Sequence, residues 1–184
     1  VSRVRQTIRA GHSRMLAIAE ASVLEWAGPS RIETLHALDA GCGTGVFSTM
    51  LALHGPQVTA VDIAPQMLAA AAEHAAANGV AQRVSFVSGD VEDAGGMFDI
   101  VACFDVLIHY PQPAFNQMLA RLAERTTGLL LFTYAPYEPL LAAVHWVCGF
   151  FPHAHRRTEI QLIHEADVRR ALAEQRLNLR RITP

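Results

Sequence analysis

Three carboxylates stand where they can share one ligand. Asp39 opens the run Asp39-Ala-Gly-Cys-Gly-Thr-Gly45, Asp62 follows the apolar run Val58–Val61, and Asp90 sits within Gly89-Asp90-Val91 after a third apolar stretch. Each acid then falls at the carboxyl end of an expected strand, the edge at which open α/β sheets bind ligands. Glycines at 41, 43 and 45 make G-x-G-x-G, whereas a pyrophosphate-wrapping loop needs G-x-G-x-x-G, so the spacing argues against a dinucleotide. Glycine at Gly41, Gly43 and Gly45 lets the backbone turn sharply and come close to a ligand with no Cβ between them. Asp39 is placed to hold a cationic amine, with Cys42 inside the same loop. Asp62 can accept from both hydroxyls of a ribose, or cap the helix that begins at Pro65; the two roles are compatible. Ile63 and Met67 follow, Met67 suited either to an adenine ring or to the core. Asp90, flanked by Gly89 and Val91, can accept from the adenine amino group. A ligand with an amine, a carboxylate and a ribose diol fits these groups, and S-adenosylmethionine is such a ligand.

A fourth apolar stretch runs into Phe104-Asp-Val-Leu-Ile-His-Tyr-Pro111. Backbone carbonyls near Phe104 can receive the ligand's ammonium. His109 lies where an acceptor would approach the methyl group, with Tyr110 beside it; a structural histidine is the competing reading, since the chain has nine.

The elements that must carry these groups alternate. Short apolar runs at Leu35–Ala40, Gln57–Val61, Val84–Ser88, Phe98–Phe104 and Leu129–Thr133 suit strands buried on both faces, and Val46–His54, Pro65–Asn78 and Pro113–Glu124 suit helices. Pro65 favours a first helical turn and Asn78-Gly79 a stop. The pattern predicts an α/β fold, a Rossmann-like, doubly wound, mostly parallel sheet. At 184 residues a single domain over 1–184 is expected, from the prior of ~100–200 residues per domain. A net charge of −2 gives no electrostatic reason to expect nucleic acid. All fifteen basic residues are arginine. Cys42, Cys103 and Cys148 follow no metal spacing, which predicts reduced thiols, a cytoplasmic location and no bound metal. No stretch approaches the ~18 uninterrupted apolar residues of a membrane span.

The chain starts at Val1 and stops at Pro184, just past a strand expected at Leu177–Ile182, so a fragment is expected. The segment Tyr137–Arg157 is rich in aliphatics, with Trp146, Phe150 and Phe151, and ends in Arg156-Arg157. It suits a helix capping the sheet, a lid over a large apolar ligand, or a helix lying on a membrane surface. An apolar helix followed by two arginines would suit a flat hydrophobic substrate bearing carboxylates, which guanidinium groups pair bidentately.

Taken together, Asp39–Gly45, the run Asp105–Pro111, and Thr133-Tyr-Ala-Pro136 with its Leu-rich sequel and Phe151-Pro152 resemble the magnesium protoporphyrin IX O-methyltransferase family. Val1–Arg9 resembles that family's segment just before its first core helix. The glycine loop by itself indicates only class I methyltransferases; the Asp-Val-Leu-Ile-His-Tyr-Pro run discriminates further. The resemblance implies methylation of the 13-propionate of magnesium protoporphyrin IX in (bacterio)chlorophyll synthesis, with His109 catalytic. Tyr110, Tyr134, Trp146, Arg156 and Arg157 would contact the substrate. It also implies an N-terminal arm that this chain lacks, a class I sheet whose last antiparallel hairpin is cut short, and contact with magnesium chelatase and the surface of the photosynthetic membrane. Two other functions stay open: methylation of another apolar acceptor such as a quinone precursor, which the Leu-Ile-His-Tyr run and Trp146 weigh against, or a non-catalytic porphyrin carrier, which intact Asp39, Gly41, Gly43, Gly45 and Asp62 speak against.

Overall fold

Five of the apolar runs pair into one sheet. The computed structural model describes residues 3–137 and 160–183. Its strands are β1 His36–Ala40, β2 Gln57–Asp62, β3 Val84–Ser88, β4 Phe98–Cys103 and β5 Thr126–Phe132, in the order β3-β2-β1-β4-β5. β1 runs parallel to β2 and β4, and β2 parallel to β3. Ala37 and Leu38 of β1 and Ile100, Val101 and Ala102 of β4 are wholly buried. A central strand with both faces covered requires such an unbroken apolar run, as the sequence predicts. The chain builds outward from β1 to β3 and then returns to place β4 on the other side of β1. Asp39 stands opposite Ala60 and Ala102, and Asp62 opposite Ser88. The acids at the strand tips thus lie at the edge where strand order reverses, which leaves a crevice in folds of this kind.

The described residues form two compact units. The first runs to Cys103 and includes Arg125–Leu131. It contains the sheet with α1 Arg3–Ala27, α2 Val46–Leu53 and α3 Pro65–Ala77. α2 and α3 pack on β2 and β3, and Pro65 occupies the first turn of α3 as predicted. The N-terminal stretch differs from expectation. Arg3–Arg9 does not precede the first helix but belongs to it: the helix runs on through Gly11 and stops only at Gly28-Pro29, where Gly28 is left-handed with φ 71°. Leu16, Ala19, Val23 and Ala27 recur at helical spacing and are buried.

β5 also begins three residues earlier than its hydropathy suggests. Thr126, Thr127 and Gly128 are not apolar, yet they pair. The Thr127 hydroxyl donates to the Phe98 carbonyl at 3.0 Å. Gly128 sits so close beneath the Trp26 indole and the Asp99 carbonyl that a Cβ would overlap both.

The second unit comprises Phe104–Glu124 and the residues from Phe132 onward. It contains a 3-10 turn Leu107–His109, α4 Gln112–Glu124, two short strands β6 Ala135–Pro136 and β7 Leu162–Ile163 that pair in parallel, and a helix, α5 Glu165–Glu174, that the sequence reading did not anticipate. Phe115, Met118, Leu119 and Leu122 bury one face of α4, and the Phe115 ring meets Phe132 edge-on at 6.1 Å. The strand expected at Leu177–Ile182 does not form. These residues are irregular, Leu179 is 39% exposed, and no strand among the described residues pairs with them. Alternating apolar residues make a strand only when a ladder satisfies the backbone. Apart from Tyr137, the segment 137–157 lies outside the described residues.

Candidate functional site

The first loop hangs from the tip of the neighbouring strand. The amides of Gly41 and Cys42 both donate to the Val61 carbonyl, at 2.8 and 2.9 Å, and the Gly43 amide donates to Asp62 Oδ2 at 2.8 Å. Asp62 Oδ1 accepts from the Ala64 amide at 2.9 Å, which turns the chain into α3. The Gly89 amide then donates to the Asp62 carbonyl at 3.1 Å, so three strand tips are stitched together by backbone donors. The helix residue before α3 is Ala64, so Asp62 shapes the turn rather than capping α3 directly. Each of its carboxylate oxygens keeps a further lone pair, enough to accept from two ligand hydroxyls. Ile63, just past it, is 80% exposed, and Met67 is exposed on the first turn of α3. Two large apolar side chains left open beside a carboxylate suit a flat ring.

Asp39 is the electrostatic centre. Its side chain is buried, and the Ser48 hydroxyl of α2 donates to Oδ2 at 2.5 Å. Burial is the main force raising its pKa to about 6, the Ser48 hydrogen bond opposes this, and the Asp62 charge adds to it. Among the described residues no cation pairs with it. A buried carboxylate without a counter-charge is an energetic cost that a bound cation removes. The same charge, after burial itself, helps push the Cys42 and Cys103 thiols up to about 12, so both are unreactive near neutral pH. Asp90 is exposed and caps a short 3-10 turn: its Oδ1 accepts from the Val91 amide, and its own amide donates to the Asp93 carboxylate. The Val91 side chain is buried, which leaves only its backbone near the edge.

In the second unit, Phe104 is half-buried and Asp105 adopts a left-handed conformation with φ 57°. The Asp105 amide donates to Thr133 Oγ1 at 2.7 Å. Leu107, fully buried, anchors the turn that presents His109 at the surface and Tyr110 half-buried. Tyr134 is half-buried, its pKa raised by burial and by the Glu165 charge against the opposing pull of Arg169. Trp146, Arg156 and Arg157 lie outside the described residues. No group of three or more His, Cys, Asp or Glu side chains that could hold a metal ion occurs among the described residues.

Comparison with known proteins decides the family. The model of the magnesium-protoporphyrin IX methyltransferase C-terminus matches residues 103–183, and a methyltransferase-domain model matches 37–127. A magnesium-protoporphyrin O-methyltransferase of Rhodobacter capsulatus is 36% identical over 168 residues, spanning 91% of this chain and 72% of its own length. One from Synechocystis is 32% identical, over 98% of this chain and 78% of its own. The chain belongs to the magnesium protoporphyrin IX O-methyltransferase family. The fold agrees: the crystal structure of the magnesium protoporphyrin IX methyltransferase from Synechocystis with bound S-adenosylhomocysteine superposes with a TM-score of 0.82 at 30% identity, covering 95% of this chain and 77% of that one. The sheet is that of a class I methyltransferase.

One group in this methyltransferase was not foreseen from the sequence. Ser48 holds the buried side of Asp39, and its signal was present: Ser48-Thr49 interrupts the apolar sequence of α2, and both are buried. Polar side chains on a covered helix face need buried partners. Ser48 has Asp39, and the Thr49 hydroxyl has no partner among the described residues.

Proposed function

We propose that this chain transfers the methyl group of S-adenosylmethionine to the 13-propionate carboxylate of magnesium protoporphyrin IX, giving the monomethyl ester in (bacterio)chlorophyll synthesis. The observation that carries the cofactor half is Asp39, a buried carboxylate at a strand tip with no paired cation among the described residues, beside a glycine loop fixed to the Asp62 carboxylate. Family membership carries the acceptor half, because the family model for the C-terminal part covers His109, Tyr110 and Tyr134.

When bound, the cofactor supplies an electrophilic methyl group on a positively charged sulfur. The propionate, with a pKa near ~4.3 like glutamate, is already a carboxylate at neutral pH. One carboxylate oxygen forms the new bond to the methyl carbon while the carbon–sulfur bond breaks and its electron pair stays on sulfur. No proton has to be removed. The protein must therefore hold the charged and apolar parts of both molecules, align oxygen, carbon and sulfur, and keep water out. Alignment of this kind is worth roughly 7–11 kcal/mol. Asp39 compensates the amine, Asp62 accepts from the ribose hydroxyls, and Ile63 and Met67 cover the adenine. Asp90 receives the adenine amino group. His109 orients the attacking carboxylate by a hydrogen bond; a general base has nothing to abstract, and axial ligation of the substrate's magnesium is the competing role. Arg156 or Arg157 anchors the second, unreactive propionate. Magnesium chelatase would deliver the substrate at the face of the photosynthetic membrane. No helix among the described residues is long and apolar enough to cross one.

The test is direct. Full-length protein incubated with S-adenosylmethionine and magnesium protoporphyrin should yield the monomethyl ester by chromatography. A porphyrin absorbance shift without ester would mark a carrier, and neither signal would mean another acceptor. His109→Ala should lower kcat by about 10²-fold, as loss of orientation at the reacting atoms does, and leave the affinity for S-adenosylhomocysteine unchanged. Loss of affinity for the magnesium porphyrin alone, with the metal-free porphyrin still bound, would assign His109 to the metal instead.

A further inference from the structure

The turn that bears His109 is tethered on both sides, and one tether holds a residue in a conformation it would not choose. Asp105 lies four residues before His109 with φ 57°, the left-handed region that few non-glycine residues enter. Asp is among those that tolerate it, but a residue stays there only when its surroundings over-determine it. The constraint is visible: the Asp105 amide donates to Thr133 Oγ1 at 2.7 Å, from the residue that follows β5. On the other side, the Gln161 amide donates to the Ile108 carbonyl at 2.7 Å, immediately before His109. Between the two, Leu107 is fully buried and the amides of His109 and Tyr110 close back on Val106 and Leu107.

We propose that Thr133 is a positioning residue for methyl transfer: its hydroxyl oxygen, by accepting the Asp105 amide, holds the left-handed bend that sets the direction of the Leu107–His109 turn. This rests on His109 acting at the acceptor. Without that oxygen Asp105 relaxes toward the right-handed or extended region. A change of this size in one φ swings the following turn, which Leu107 and Gln161 tether nearer its middle. The hydroxyl matters as an acceptor, so serine should replace it and valine, its isostere, should not.

Thr133→Val is expected to lower kcat by about tenfold or more, since misplacement of a reacting group by about 1 Å costs that much. The KM for S-adenosylmethionine and the affinity for S-adenosylhomocysteine should stay within about twofold, and Thr133→Ser should recover most of the rate. Hydrogen exchange gives a readout independent of activity: amides 105–110 should exchange faster in Thr133→Val than in the wild type or Thr133→Ser. If the valine variant does not fold, judged by S-adenosylhomocysteine binding, Thr133→Ala removes the same acceptor without an added methyl. A His109→Ala enzyme at wild-type rate would remove the role of His109 and this one with it. A slow His109→Ala enzyme beside a fast Thr133→Val enzyme with unchanged exchange would overturn the role of Thr133 alone.

Discussion

Asp39→Asn is expected to abolish useful cofactor binding while making the ligand-free protein more stable at pH 7.5. Both effects come from one buried charge. The wild-type carboxyl has its pKa raised from 3.8 to about 6, chiefly by burial, so the folded protein holds a charge its interior disfavours. Keeping it ionised at pH 7.5 costs the fold at most about 3 kcal/mol, from the difference between those two values at ~1.36 kcal/mol per pH unit. Asparagine has the same shape, can still accept from the Ser48 hydroxyl, and carries no charge. For a chain of this size 1 kcal/mol moves Tm by roughly 2–4 °C, so a rise of several degrees is expected. The sign reverses on acidification. A carboxyl whose folded pKa lies above its unfolded value contributes stability in full below about 3.8, and that contribution is lost as pH rises through about 6. The advantage of Asp39→Asn should therefore vanish toward pH 4. Binding is expected to respond oppositely, because in the proposed site the cofactor's cation supplies the counter-charge. Losing one partner of a buried charged pair costs about 2–5 kcal/mol, or roughly 30- to 5,000-fold in affinity. Wild-type affinity should also weaken as pH falls through about 6 and Asp39 takes up a proton. Calorimetry with S-adenosylhomocysteine and scanning calorimetry of the free protein, both at several pH values, check the two halves. A variant that binds normally would remove Asp39 from the cofactor site.

The parts of this molecule that could be read from its sequence are those whose cause is local. The strands β1, β2 and β4 show as apolar runs because most of their residues are covered on both faces, and α3 shows because Pro65 and the Asn78-Gly79 stop act on the nearest residues. The loop Gly41–Gly45 is legible for the same reason: all three glycines have positive φ, at 79°, 53° and 71°. The misreadings share a non-local cause. The start of β5 depends on Trp26, about a hundred positions away, lying over Gly128. Leu177–Ile182 has the alternation of a strand without a pairing partner among the described residues. The start of α1 is not legible either: the helix implied after Arg9 already begins at Arg3, along a stretch with little apolar periodicity to mark it. At the candidate site, the placement of Asp39, Asp62 and Asp90 at or just past strand ends was legible from their spacing. Their partners, Ser48 for Asp39 and Thr133 for the bend at Asp105, become evident only once the chain is folded.

Gly45→Ala should be more damaging than Gly43→Ala in the same loop, and its partner can be named. Gly45 precedes α2 with φ 71°, and a Cβ there would stand 2.7 Å from the Cβ and 3.1 Å from the Cα of Ala71, a wholly buried residue of α3. Two costs therefore add: about 1–2 kcal/mol for an L-residue in the left-handed region and about 1–3 kcal/mol for overpacking. Gly43 separates them. It has φ 53°, but a Cβ there would meet nothing within 4 Å, so Gly43→Ala should carry only the conformational cost. Ala71→Gly removes the obstructing methyl at about 1 kcal/mol for glycine in a helix. The double variant Gly45→Ala/Ala71→Gly should then be about 1–2 kcal/mol more stable than the two single losses predict, whereas Gly43→Ala should combine additively with Ala71→Gly. Urea denaturation of the six proteins measures both couplings. The consequence reaches the cofactor, because α3 starts at Pro65, three residues after Asp62, whose carboxylate holds the Gly43 and Ala64 amides. Pushing Ala71 away from Gly45 moves the helix that follows this turn. Gly45→Ala should therefore weaken S-adenosylhomocysteine binding, and Ala71→Gly should partly restore it. Additive stabilities with no restoration of binding would show that the loop and α3 do not depend on this contact.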